Sequence, residues 1–151
     1  MSSAHANPPP AVELRNLTKI FGRFAALRDL SASFERGRLY GIFGENGAGK
    51  STLLRLIAGL ARPTSGCIEI FGEADVRAVS ARLGYMAHAS MLYDELSALE
   101  NLRYFGALYG VDAERCAQSL SDVGLDPALA RPIGENYQGM RQRAALARAM
   151  L

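Results

Sequence analysis

No stretch of the 151-residue chain holds the roughly 18 consecutive apolar residues that a membrane helix requires. The sequence therefore predicts a chain that meets a membrane only by docking on a partner that spans it. Cysteine is scarce too. Cys67 and Cys116 lie far apart, without CxxC or Cys/His spacing. That excludes a disulfide scaffold and a cysteine metal site, and predicts two small buried residues in a reducing compartment. An excess of charge of one sign is nearly absent: 17 Lys and Arg against 15 Asp and Glu leave a formal +2. Net charge thus points to neither nucleic acid nor anionic lipid, and no nucleic-acid partner is expected. There is no internal repeat, and Pro8 to Pro10 make the one biased stretch. The opening MSSAHANPPP has no basic flank before an apolar core, so it reads as neither leader nor anchor, and residues 1–11 are expected to form an extended tail. With 49% hydrophobic and 21% charged residues, the remainder has the composition of one globular domain.

Val12, Leu14 and Leu17 read as a first strand, and Leu30, Ala32 and Phe34 as a second, both of antiparallel edge type. Leu39 to Phe43 is apolar at nearly every position, which predicts a strand buried on both faces of a parallel sheet. After a glycine-rich interruption, Leu53, Leu54, Ile57 and Ala58 recur at helical spacing up to Gly59. Cys67 to Phe71 and Leu83 to Ala87 read as further strands, with a weak helical pattern over Ala74 to Arg82. Ser97 and Glu100 form a capping box for a helix reaching Tyr109 and stopped by Gly110. Asp112 caps another helix, with Cys116, Leu120 and Val123 inward. Met140 to Leu151 reads as a last helix with Leu146 and Met150 on its apolar stripe.

Gly44-Glu45-Asn46-Gly47-Ala48-Gly49-Lys50-Ser51 fits G-x-x-x-x-G-K-[ST] and lies between an expected strand and a helix N-terminus. A chance match in a chain of this length is on the order of 1 in 200. Glycines let backbone N–H groups turn inward around an anion, and the helix adds the positive end of its dipole. A triphosphate suits such a loop. Lys50 would reach the β- and γ-phosphates, Ser51 would ligate Mg²⁺, and Thr52 would lie beside the α-phosphate.

The loop as it stands, GENGAGKSTLL, resembles the Walker A motif of ATP-binding cassette (ABC) ATPases. RPTSGCIEIFG, LSALENL and QGMRQRAALARAML resemble, in order, later segments of that family. The resemblance covers 12–151 and implies an α/β fold: a P-loop NTPase core with antiparallel edge strands and an α-helical subdomain, ending before the Walker B strand. Residues 88–139 would then hold the Q-loop, the helical subdomain and the signature region. Phe21 in KIFGRFAAL matches the aromatic that stacks on adenine. His88 in GYMAH stands where most members carry the glutamine that touches Mg²⁺ or the attacking water, so the resemblance implies a catalytic and metal-facing role for it beside Lys50. Asn136-Tyr137-Gln138-Gly139-Met140 occupies the register of LSGGQ. Gly139 is retained there, while Tyr137 replaces the serine that contacts the γ-phosphate of the ATP held by the opposite subunit. LGYMAHASMLYDELSALENL looks most like the ATPase subunits of haem exporters in cytochrome c maturation.

The resemblance further implies ATP and Mg²⁺ as ligands, a second cassette and a transmembrane permease subunit as partners, and a place on the cytoplasmic face of the inner membrane. In the family a later Asp and Glu hold Mg²⁺ and polarise water, and a later His meets the γ-phosphate. None is identifiable here, and no Asp or Glu follows Glu135. The expectation is thus a chain that binds nucleotide weakly and hydrolyses none at a useful rate. Two alternatives stand beside it: a truncated or non-transport ABC protein without hydrolysis, and another P-loop kinase or GTPase. The second would need an Arg-rich lid or an N-K-x-D guanine reader, and no N-K-x-D is present.

Overall fold

The computed structural model describes residues 8–87, 89–135 and 137–151. These fall into two compact units, one ending at Leu83 and one running from Gly84 to Leu151.

In the first unit, strands β1 (Val12–Phe21), β2 (Phe24–Phe34) and β3 (Ser65–Ile70) form an antiparallel sheet in the order β2-β1-β3. Strict alternation would place Leu14 and Leu17 on opposite faces, yet both are fully buried. A bulge reconciles them. The register slips between Leu14 and Leu17, and Asn16 takes φ +49, so one extra residue returns Leu17 to the core face. The bulge is fastened across the hairpin. The Asn16 amide donates to Asp29 Oδ1 at 2.7 Å, and the Asn16 N–H donates to Ser31 Oγ at 2.9 Å. On the other side it presses on Gly66, where a side chain would collide with the carbonyl oxygens of Arg15 and Asn16. Helix α1 (Lys50–Ile57) lays Leu53 and Leu56 into the cluster built from Leu14, Leu17, Ile68, Ile70 and Val79. Each fully buried aliphatic of this kind contributes about 1.5–3 kcal/mol. The weak helical pattern after Ala74 takes the form of a 3-10 helix, Val76–Arg82, with Asp75 Oδ1 accepting from the Arg77 N–H.

Two expected strands do not form. Residues 39–43 and 83–87 belong to no strand, and Leu39 and Phe43 are 101% and 94% exposed. The cause is non-local. A parallel strand exists only through hydrogen bonds to neighbours reached by crossovers, and no described segment pairs with either stretch. Cys67 differs as well: it lies exposed on β3, whereas Cys116 is buried as expected.

The second unit is helical, with α2 (Ala98–Tyr109), α3 (Ala113–Asp122) and α4 (Gln138–Ala149). Its core gathers Leu102, Cys116, Leu120, Leu125, Ile133, Ala144 and Ala147. Both expected caps are present. Ser97 Oγ accepts from the Glu100 N–H at 3.3 Å while the Ser97 N–H donates to Glu100 Oε2 at 2.8 Å, and Gly110 closes α2 at φ +73. Asp112 accepts from the Arg115 N–H at 2.8 Å. Asn101 is fully buried, with its polar atoms spent on the preceding loop. Oδ1 accepts from the Tyr93 N–H at 2.8 Å, and Nδ2 donates to the Tyr93 and Ser97 carbonyls, each at 3.0 Å. The expected α4 stripe is turned the other way: Leu146 and Met150 are exposed, and Ala144, Ala145 and Ala147 face inward. Small residues let α4 approach its neighbours closely, which larger side chains on that face would prevent. No helix among the described residues is long and apolar enough to cross a membrane.

Removing the Asn101 amide leaves the Tyr93 N–H without its partner and takes a second donor from the Tyr93, Leu96 and Ser97 carbonyls, so Asn101→Ala should cost on the order of 2 kcal/mol in urea denaturation, against about 1 kcal/mol for Ser97→Ala. The hydrogen bond from the Ser97 backbone, then that from its hydroxyl, holds the Glu100 carboxyl below its ordinary value of 4.5. Its folded-state pKa is depressed, so its contribution is present above 4.5 and lost as pH falls through the lowered value. Glu100→Gln should therefore flatten the acid limb of the urea midpoint plotted against pH.

Candidate functional site

The site is built where β2, the 44–49 loop and α1 meet. Gly47 and Gly49 both adopt φ +87, a left-handed backbone that glycine enters without steric cost. At Gly49 space imposes a second demand, because a Cβ would collide with the backbone oxygen of Ala26 in β2. The loop can lie on the strand only with glycine there. Helix α1 then begins at Lys50 with no side-chain cap and no acidic residue in its first turn. Its N-terminal amides, which have no partner within the helix, are left to an anion.

Lys50 folds back over the loop. Its Nζ donates to the carbonyls of Gly44 and Glu45, both at 2.7 Å, which leaves one of three protons for a ligand. These bonds pin the ammonium above the turn. Around it lies an open pocket of about 350 Å³, lined by Phe21, Phe24, Ala26 and residues 46–52. The structure thus brings Phe21, Asn46, Gly47, Ala48, Gly49, Lys50, Ser51 and Thr52 to one pocket, with Gly44 and Glu45 holding the lysine.

Phe24 and Ala26 are pocket residues that sequence reasoning missed. The signal was present in KIFGRFAAL, where a second aromatic follows Phe21 across a two-residue turn. Phe21 pairs with Phe24 at the end of the β1–β2 ladder, which sets both rings at the pocket rim. Phe21 is 53% exposed, and Lys19 Nζ stands 4.9 Å from its ring centroid while donating to the Arg62 carbonyl at 2.7 Å. The ring is therefore a surface aromatic with a cation on it rather than a core residue.

The chemistry of the donor set fits a Mg-nucleotide. Among the described residues no three His, Cys, Asp or Glu side chains converge on a metal position. A hard cation would be held by phosphate oxygens together with the exposed Ser51 hydroxyl, which is how Mg²⁺ is commonly bound. His88 and Asn136 lie outside the described residues. Gly139 belongs to the second unit, in the first turn of α4, with open space where a side chain would stand. Tyr137 precedes it at the N-cap, 83% exposed and making no side-chain cap.

The family model described as ABC transporter matches residues 27–151. The ABC transporter ATP-binding protein NatA of Bacillus subtilis is 40% identical over 134 residues, covering 83% of this chain and 54% of that protein. The bacitracin transport ATP-binding protein BcrA of Bacillus licheniformis is 34% identical over 144 residues, covering 93% and 47%. Among solved structures, a putative ABC transporter ATP-binding protein from Pyrococcus furiosus superposes with a TM-score of 0.78 at 26% identity, over 93% of this chain and 70% of that one. A dimeric ATP-binding cassette in a post-hydrolysis state, bound to ADP and Pi, gives 0.75 at 27% identity, over 92% and 68%. The chain spans about half the length of these two curated relatives. The match to the family model, running from β2 through the phosphate loop to Leu151, shows that the chain belongs to the ABC transporter family.

Proposed function

We propose that this chain binds Mg-ATP as part of the ATP-binding subunit of an ABC exporter, with residues 12–151 forming part of the cassette and 1–11 a tail. One observation carries the reading: the uncapped N-terminus of α1, Lys50 and the Phe21 ring line a single open pocket. Residues 46–52 would take the phosphates through backbone N–H groups, Lys50 would place its remaining proton on the β- and γ-oxygens, and Phe21 with Phe24 would flank the base. Mg²⁺ when bound neutralises charge on the β- and γ-phosphates, with Ser51 as its protein ligand. The proposal assigns Gly139 to the phosphate of a nucleotide held by a second cassette, and His88 to the vicinity of the metal and water. The intact protein would hydrolyse ATP, pair with that cassette and dock on a membrane permease at the cytoplasmic face of the inner membrane.

Export as the direction of transport is supported by relatives named for Nod factor export, 33% and 35% identical to this chain. A finer reading, haem export for cytochrome c maturation, rests on the likeness of residues 83–102 to haem-exporter subunits. Loss of haem-stained c-type cytochromes on deleting the gene in its source organism is the outcome expected of it. Unchanged staining would remove that substrate and leave the nucleotide reading intact.

Titration calorimetry with Mg-ATP should show Lys50→Ala weakening binding on the order of 10- to 100-fold, since a charge-assisted hydrogen bond is removed. Gly49→Ala should abolish binding outright, and should melt earlier than Lys50→Ala because its defect lies in the backbone. Equal affinity in wild type and Lys50→Ala would sink the phosphate assignment. Steady phosphate release by the 151-residue chain, lost in Lys50→Ala, would overturn the expectation that this chain alone does not turn over.

A further inference from the structure

Asn46-Gly47 is the one place in the chain where glycine follows asparagine. Such a pair is chemically unstable in water, because no side chain on the glycine keeps its nitrogen from the asparagine's side-chain carbonyl. A fold protects the pair when it engages the reacting atoms. This fold leaves them open. The Ala48 N–H donates to the Glu45 carbonyl at 3.2 Å, so residues 46 and 47 form the tip of a turn that is fastened at its ends. Among the described residues, neither the Asn46 amide nor the Gly47 N–H has a hydrogen-bond partner, and both residues are exposed. Gly47 stands at φ +87 with open space where a side chain would be.

The other described asparagines are held. The Asn16 amide donates to Asp29 Oδ1 at 2.7 Å, and the buried Asn101 amide donates to the Tyr93 and Ser97 carbonyls. Leucine follows each of them and crowds the same approach.

We propose that Asn46-Gly47 is a self-modification site in the phosphate loop. The Gly47 nitrogen gives up its proton and bonds to Asn46 Cγ, the Cγ–Nδ2 bond breaks, and ammonia leaves with that proton. Water then opens the resulting succinimide. Opening at Cγ gives aspartate, and opening at the main-chain carbonyl carbon gives isoaspartate, which routes the backbone through an added methylene. Either product puts a carboxylate on the pocket and lowers the formal charge by one from +2. Isoaspartate also lengthens a loop that cannot yield at Gly49, which is pressed on the Ala26 oxygen. An anion that accepts the Gly47 N–H holds the nitrogen away from Cγ. The site therefore ages when empty and is protected when filled, and this second part rests on the nucleotide binding proposed above.

Peptide mass mapping of the 151-residue chain, aged at mildly alkaline pH, tests this. Asn46 should convert at least about tenfold faster than Asn16 or Asn101, and within about tenfold of its rate in chain unfolded by guanidinium chloride. Both isomers should appear. Saturating Mg-ATP should slow the conversion about tenfold, and the converted fraction, separated by ion exchange, should bind Mg-ATP at least about tenfold more weakly. Asn46→Ala aged alongside should keep its own starting affinity. An Asn46 that stays an amide, a folded rate about a hundredfold below the unfolded one, or aspartate without isoaspartate would overturn the proposal. So would unslowed conversion in a chain that binds Mg-ATP, converted chain that binds like fresh chain, or Asn46→Ala that loses affinity as fast as wild type. Conversion at the expected rate in a chain that binds no Mg-ATP when fresh leaves the modification site standing and removes the nucleotide reading.

Discussion

The approach of Gly49 to the Ala26 carbonyl is the constraint on which the first unit's chemistry rests. A loop that presents amides to an anion must hold its own carbonyls away from it, which needs a left-handed turn with no side chain on the strand side. That turn in turn requires β2 to be fixed. β2 is held by β1, and β1 is aligned by the bulge at Asn16, the bond to Asp29 and the missing side chain at Gly66. The pocket is therefore positioned by residues remote from it in sequence, none of which would touch a ligand. A defect in this hairpin should reach the pocket as a displaced loop.

The second unit rests on a different principle. Its helix starts are fixed by local polar groups: a capping box, an Asp cap, and an asparagine that satisfies the loop just before its own helix. Such bonds form between residues a few positions apart and need little of the rest of the chain. Among the described residues, the Ser119 hydroxyl is buried without a partner. The Gly106 backbone passes Cys116 so closely that a Cβ would lie 2.6 Å from the sulfur, and that contact sets how near α2 and α3 come.

What was legible in the sequence follows that division. Ser97, Glu100, Gly110 and Asp112 were readable as helix ends because capping is written in adjacent residues. The phosphate loop was readable because its glycines and lysine act through a short backbone arc. Leu39 to Phe43 and Leu83 to Ala87 were not, since strand formation depends on distant partners that an apolar run does not specify. The inward face of α4 was misjudged because Leu146 and Met150 outweigh alanines on any hydropathy count, whereas close packing selected the alanines. The sheet bulge was invisible for a similar reason: Asn16 is a polar residue in a strand until Asp29 and Gly66 are seen against it.

The two cysteines end in opposite surroundings, Cys67 exposed on β3 and Cys116 sealed between α2 and α3. Burial, and then the Asp112 carboxylate, push the Cys116 thiol up from its ordinary value, while its Sγ lies 3.4 Å from the Leu102 carbonyl. A thiol kept protonated and covered is a poor nucleophile until its helices part. The two sulfurs thus form a clock: Cys67, which an alkylating reagent meets at once, and Cys116, which it meets only at the rate at which the helical unit opens.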